Sequence, residues 1–494
     1  MADTQPALDL STLPLNRLYI DGDWVQPAGN SQIAIVSPDT EAVAARVAEA
    51  SPEDVDRATA AARAAFDRGP WPRMPLAERL EHVRRFSEAV QERTEELSLC
   101  WSTQVGVPRT LAGMLTPMMV NTVDPYLELA GEMDWVEQRE TPVAPAGLVA
   151  YEPVGVVAAI APWNVPVNTM LHKVGPALIA GCTVIMKPSP ETPLEAYIMA
   201  QCAEKAGFPP GVVNMLCAGR EVSDYLVQSP SVDKVSFTGS VAAGKRIAAV
   251  CAERIARVSL ELGGKSAAIV LDDCDLDAAA QQLVMGIAGL SGQNCALLAR
   301  ALVSRDRHDE LVAKLKAGAE SLKLGPAFDE DTQVGPLVAK RQLDRVETLI
   351  AAGVDEGATL VTGGKRPAHL DRGYFIEPTV FADVANDMRI AREEIFGPVL
   401  CVIPYDDLDH AVALANDSDF GLAGAVFTDD AEKAYQLARR LRTGTVAQNG
   451  GLADFSLGFG GFKQSGVGRE GGMAGLRSYL ESKTILLGGM PGTL

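Results

Sequence analysis

From about Leu148 the chain alternates short apolar runs with helix-patterned segments, and this alternation restricts the fold more than any other feature. Val154–Ile160 carries no charge and ends at Ala161-Pro162-Trp163-Asn164, and Met170–Ala180 after it is helix-like. Gly181–Met186 reads as the next strand, closed by Lys187-Pro188-Ser189, and Leu194–Lys205 as a helix ended by Gly207. Val212–Leu216 and Lys234–Phe237 are further strands, after which Thr238-Gly239-Ser240 opens a helix over Val241–Glu253. Strands apolar on both faces, alternating with helices, predict an α/β fold whose parallel sheet is covered on both sides. Ligands of such sheets sit beyond the carboxyl ends of the strands. Asn164, Lys187, Gly239, Ser240 and Glu261, the last closing the run Arg257–Leu260, all fall at such ends.

A second alternation follows Cys295, with a strand at Val303, a helix over His308–Leu322, the stretch Tyr374–Pro378, a strand over Val399–Pro404, a helix over Leu408–Asn416 and a strand over Gly421–Phe427. At 494 residues the chain exceeds one ordinary core, so two sheet-based domains with a cleft between them are expected. Ahead of them, Leu18–Trp24 reads as a hairpin around Asp21-Gly22. Ser51-Pro52-Glu53-Asp54 carries the signature of a capped helix start, and Leu76–Leu97 reads as one long solvated helix. Thr141–Ala150 and Ser478–Leu487 read as strands outside both blocks, and unpaired strands of this kind are candidates for joining subunits.

A formal net charge of −20 argues against nucleic acid or an anionic membrane surface as partner, since both need a basic face. No apolar stretch reaches the length of a membrane span, and Met1–Pro6 has no cationic segment leading into an apolar run, so a soluble, cytoplasmic protein is expected. The eight cysteines are scattered without CxxC spacing, which fits free thiols in a reducing compartment. The five histidines form no HxxxH or HxxE arrangement, so no metal site is expected.

Two stretches carry the chemistry. Gly292-Gln293-Asn294-Cys295 offers a thiol beside a glycine, and Glu261-Leu262-Gly263-Gly264-Lys265 offers a carboxylate at a strand end before a glycine pair. A substrate can approach a thiol closely where no side chain crowds the backbone. Only the thiolate attacks, so such a thiol needs a low pKa or a nearby base, and Glu261 could be that base or activate a water later. A lone Cys is more often a small buried hydrophobe and a lone Glu a solvated surface group. The pair gains weight from its company.

That company resembles the NAD(P)-dependent aldehyde dehydrogenase superfamily along nearly the whole chain. The resemblance rests on Pro162-Trp163-Asn164, Lys187-Pro188-Ser189, Phe237-Thr238-Gly239-Ser240, Leu260–Lys265, Gly292–Cys295, Glu393-Glu394-Ile395-Phe396-Gly397-Pro398 and Phe459–Gly466, with Cys295 following Glu261 by the family's usual 34 residues. It implies an aldehyde-dehydrogenase-like fold in which a Rossmann-type parallel-sheet cofactor domain (1–127 and 152–262) joins an α/β catalytic domain (263–474). A small β oligomerisation element (128–151 and 475–494) would make a homotetramer or homodimer. By resemblance Cys295 is the nucleophile, Asn164 and the Cys295 N–H bind the oxyanion, Glu261 is the base for the hydrolytic water, and Lys173 and Glu470 lie on its proton path. The cofactor would meet Ile160, Ala161, Pro162, Trp163, Lys187, Ser189, Gly219, Phe237, Thr238, Gly239, Ser240, Gly244, Leu262, Gly263, Glu394 and Phe396. Ser240 and the following helix N-terminus would receive the pyrophosphate, Lys187 the adenosine ribose, and Glu394 the nicotinamide ribose. Val165, Thr169, His172, Asn294, Leu297, Phe455 and Phe459 match positions that line the substrate channel.

Two departures bear on specificity. Many members carry Glu three residues after the lysine, to accept from the ribose hydroxyls and repel a 2′-phosphate; here that position is Pro190, and Glu191 follows. An acid is still close and no arginine is nearby, so NAD is the expected cofactor, with NADP possible. Gly458 stands where Pro commonly precedes the Phe, which loosens the channel wall. The lining positions include no arginine, so a neutral, hydrophobic aldehyde is expected, oxidised to the free acid. Transfer of the acyl group to coenzyme A is the alternative, against which the presence of Glu261 speaks; a cofactor-binding protein without turnover and a Cys295 esterase are two more.

Overall fold

The computed structural model describes residues 8–451 and 453–492. Five strands, Val156–Ile160, Thr183–Lys187, Val213–Met215, Lys234–Thr238 and Arg257–Glu261, form the parallel centre of an eight-stranded sheet. Numbered in that chain order, they stand side by side as 3-2-1-4-5. The direction of winding reverses between Val156–Ile160 and Lys234–Thr238, the switch point where doubly wound sheets bind dinucleotides. The N-terminal hairpin (Leu18–Ile20 with Asp23–Val25) covers one edge and Gly466–Val467 the other, both antiparallel.

The apolar character of these strands has its cause in burial on both faces. Val157, Ala159, Val184 and Met186 pack into one core, and Val156, Ala158, Ile160 and Ile185 into the core on the opposite side. A second, seven-stranded sheet is built the same way, with Ala267–Val270, Arg300–Ser304, Thr379–Ala382, Val399–Tyr405, Ala423–Phe427 and Thr445–Gln448 parallel, and Thr359–Thr362 antiparallel at one edge.

The first helix, Pro52–Asp67, starts on a reciprocal cap: Ser51 Oγ accepts the Asp54 N–H at 3.3 Å, and the Asp54 carboxylate accepts the Ser51 N–H at 2.9 Å. The long helix expected over Leu76–Leu97 is two helices, Leu76–Gln91 and Thr94–Val105. The break falls at Arg93 (φ −100°, ψ 16°), and the second helix thereby buries Leu97, Cys100 and Trp101. The outlying strands are also not unpaired. Ala146–Pro153 pairs along its whole length with Leu480–Leu487 and, on its other side, with Val136–Arg139, because each supplies the backbone partners the others lack. Among the described residues no helix is long and apolar enough to cross a membrane.

Candidate active site

The thiol is carried by an irregular turn. Helix Leu276–Ala288 gives way to Gly289–Gly292, where Leu290 (φ 51°), Ser291 (φ 53°) and Gly292 (φ 71°) are all left-handed. Such a conformation costs a non-glycine residue roughly 1 kcal/mol or more, and it persists only where the surroundings over-determine it. Ser291 Oγ donates to the Gly335 carbonyl (2.7 Å), and the Gln293 side chain donates to the Leu290 carbonyl (2.9 Å) and accepts the Val338 N–H (2.9 Å). Asn164 Nδ2 donates to the Gln293 carbonyl at 2.9 Å, tying the end of the first sheet to this turn. A Cβ on Gly292 would stand 2.1 Å from the Gly397 carbonyl oxygen, so only glycine fits. Cys295 follows, partly open to solvent. Burial, then the carboxylates of Glu394 and Glu261, push its thiol up to about 12.

Glu261 ends its strand with a side chain only 4% exposed, and neither carboxylate oxygen has a hydrogen-bond partner. Burial raises its carboxyl well above the ordinary range, Glu470 adds to this, and Lys173 and Arg469 oppose it. Lys173, wholly buried, donates to Thr238 Oγ1 at 2.7 Å and is paired with Glu470. The glycine pair after Glu261 is a steric requirement. A Cβ on Gly264 would meet the Cys295 carbonyl oxygen at 2.4 Å, and one on Gly263 would meet Glu394 Oε2 at 2.1 Å. Glu261, Cys295 and Glu394 are thus brought together by backbones that pack without side chains between them.

At the switch point, Ile160 and Ala161 are buried and the Ala161 N–H reaches the Lys187 carbonyl (3.2 Å). Pro162 leads into Trp163, whose ring stands edge-on to Phe396 at 5.1 Å. Lys187 is buried, which lowers its ammonium to about 8. Phe237 is buried, Gly239 donates to the Glu261 carbonyl (3.0 Å), and Ser240 caps helix Val241–Glu253 through the Ala243 N–H (3.3 Å). A Cβ on Gly244 would lie 2.6 Å from Leu262, so this glycine lets the helix close on the sheet. Gly219 stands at the start of the preceding helix, Arg220–Gln228, its N–H bound to Glu49 (3.1 Å). Glu394 accepts the Gly264 N–H (3.1 Å), and burial raises its carboxyl to about 7. The carboxyl edge therefore presents a helix N-terminus, a buried cation and a buried acid, a set that fits a dinucleotide.

An aromatic wall leads up to Gly460, where an added Cβ would lie 2.7 Å from Glu261 Oε1. His172 stacks on Phe455 (4.2 Å, 18°), which stacks on Phe459 (4.5 Å, 27°). Burial, followed by Lys173, lowers the His172 imidazolium to about 3, so the ring is neutral. Tyr126 Oη accepts the Gly471 N–H (2.7 Å) and lies 3.1 Å from His172 Nδ1. Val165 packs near Leu290, Thr169 Oγ1 returns to the Val165 carbonyl (2.7 Å), and Asn294 accepts the Ala296 N–H (3.0 Å). Leu297 instead packs in the core under helix Leu276–Ala288.

Several residues escaped the sequence reading. Tyr126 carries no local motif, and the Gly292–Cys295 motif does not reveal that Gln293 is held by the Val338 N–H. Gln342 Nε2 donates to the carbonyls of Ile395 (3.1 Å) and Phe396 (2.8 Å), and Arg345 donates to that of Glu394 (2.6 Å), from helix Lys340–Asp355. Arg341 of the same turn lies 2.7 Å from Glu191, which corrects the expectation that no arginine is near that acid; 150 residues of chain separate them, and the fold joins them.

A thiol and an unpartnered acid joined to a sheet with a dinucleotide switch point fit a nucleotide-dependent oxidoreductase, and the chain belongs to the aldehyde dehydrogenase family, whose model matches residues 24–485. It is 43% identical over 477 residues to the geranial dehydrogenase of Castellaniella defragrans, covering 96% of this chain and 99% of that protein. Among solved structures it is similar to a Mycobacterium tuberculosis aldehyde dehydrogenase complexed with NAD+ (TM-score 0.92, 42% identity, 96% and 98% of the two chains). It is also similar to an aldehyde dehydrogenase C mutant from Pseudomonas syringae with NAD+ and octanal (TM-score 0.91, 40% identity, 99% of each chain).

Proposed function

We propose that the protein oxidises a neutral, hydrophobic aldehyde to the free carboxylic acid with NAD, through a covalent intermediate on Cys295. Cys295 Sγ, as thiolate, bonds to the carbonyl carbon while the C=O electron pair moves onto oxygen. That oxygen is received by the Cys295 N–H and by Asn164. An amide NH2 has two hydrogens, and the Gln293 carbonyl takes one, which fixes the direction of the other. The nicotinamide, when bound, supplies the hydride acceptor. Loss of hydride leaves a thioester on Cys295; Glu261 takes the proton of the water that attacks it, and the C–S bond then breaks, returning the Cys295 thiolate and releasing the acid. A carboxylate with both oxygens free and its pKa raised by burial suits that task near neutral pH. Lys173 and Glu470 offer the proton its next partners.

The observation that carries this reading is that Glu261, without a hydrogen-bond partner, lies close enough for its charge to raise the Cys295 thiol. The substrate class is supported by the neutral His172–Phe455–Phe459 wall and by the geranial and octanal named for two relatives. The domain division at 127, 152 and 262, and assembly through 128–151 and 475–494, belong to the same reading, supported by the separation of the eight-, seven- and three-stranded sheets. With octanal and NAD, Glu261→Gln is expected to give a burst of about one NADH per chain and then a steady rate lowered by roughly 10²-fold or more, whereas Cys295→Ala gives no burst. An unchanged steady rate in Glu261→Gln rejects the role of Glu261. Succinate semialdehyde surpassing octanal and benzaldehyde in kcat/KM rejects the substrate class.

A further inference from the structure

Glu191 stands in the loop after strand Thr183–Lys187, close enough to Lys187 to act on its charge. One of its carboxylate oxygens accepts the Ser189 hydroxyl, and the other meets the Arg341 guanidinium at 2.7 Å. Arg341 comes from the first turn of helix Lys340–Asp355, distant in the chain. The same turn holds, through Gln342 and Arg345, the carbonyls of the Glu394–Phe396 loop. One helix thus touches both the Glu191 loop and the Glu394–Phe396 loop, which the reading above assigns to the two riboses. The Arg341 side chain is 58% exposed and that of Glu191 22%, and exposed pairs of this kind contribute little to stability. The fold does not require this one.

At an adenosine ribose an acid accepts from the 2′-hydroxyl and disfavours a 2′-phosphate, whereas an arginine accommodates the phosphate. Here the two occupy one spot as a pair. We propose that the Glu191–Arg341 pair selects between NAD and NADP, with Arg341 the residue that receives a 2′-phosphate. With a free 2′-hydroxyl, Glu191 accepts from the ribose and keeps Arg341. With a 2′-phosphate, the carboxylate gives up the guanidinium, whose planar fork matches phosphate geometry. The site takes both cofactors, and the balance is held by a contact between two segments distant in the chain.

The inference rests on the dinucleotide reading above, and its test needs no aldehyde. Calorimetric titration of the full chain with ADP-ribose and with 2′-phospho-ADP-ribose is expected to show binding of both. Arg341→Ala weakens the phosphorylated ligand by roughly ten- to hundredfold, as loss of a charge-assisted pair does, and changes ADP-ribose binding by less than about threefold. Glu191→Gln shifts the ratio the other way, toward the phosphorylated ligand. Equal effects of Arg341→Ala on both ligands, or no binding of the phosphorylated one to the unaltered protein, overturns the proposal while leaving NAD-dependent oxidation intact. Failure of both ligands to bind overturns the two together, and binding as described without aldehyde turnover overturns only the oxidation.

Discussion

At Cys295 the protein without cofactor works against the thiolate, since burial and the carboxylates of Glu394 and Glu261 hold the thiol at about 12. Below that value the thiolate fraction rises about tenfold per pH unit. Alkylation of the cofactor-free protein by iodoacetamide, followed at Cys295 by mass spectrometry, is therefore expected to accelerate continuously between pH 7 and pH 9. A plateau within that window shows a thiol activated by the protein alone. Glu261 has the complementary problem. Its carboxyl is raised, so it is protonated over more of the acid range than an ordinary glutamate, and hydrolysis of the thioester is expected to slow as pH falls through that raised value.

The turn Gly289–Gly292 is the element on which the placement of Cys295 depends. Three successive left-handed residues are held by Ser291, Gln293 and Asn164, and the fit at Gly292 leaves no room for a Cβ. Gly292→Ala combines φ 71° with a contact of 2.1 Å to the Gly397 backbone, which must shift to admit it. The expected result is a loss of about 2 kcal/mol or more in thermal unfolding together with a large loss of aldehyde turnover. Stability and turnover both within error of the unaltered protein contradict the steric account. The apolar runs and the carboxyl strand ends that place Asn164, Lys187 and Glu261 were legible because period and punctuation are local signals. The left-handed turn was not, because its residues Leu290 and Ser291 have no preference for that conformation and adopt it only under tertiary constraint.

At the scale of the molecule, Ala146–Pro153, flanked by Val136–Arg139 and Leu480–Leu487, makes a small sheet separate from the two large ones, with an open edge on each side. Open edges invite pairing with another copy. Light scattering is expected to give two or four times the 52.3 kDa chain mass, and truncation after Ser478 to reduce it. A single-chain mass for the full-length protein excludes assembly through this sheet. The pairing of its two main strands, more than 300 residues apart, was not legible from the sequence, where each reads as a strand without a partner.

By itself the sequence determined the two α/β alternations, the strand ends where ligands gather, and the thiol and acid that resemble a known family, since each is written within a few neighbouring residues. Only the tertiary structure decided that Glu261 keeps both oxygens free near Cys295, that His172 is neutral in an aromatic wall, and that Arg341 meets the distant Glu191. Burial, field and contact depend on what the fold brings alongside, and distance along the chain carries no record of them.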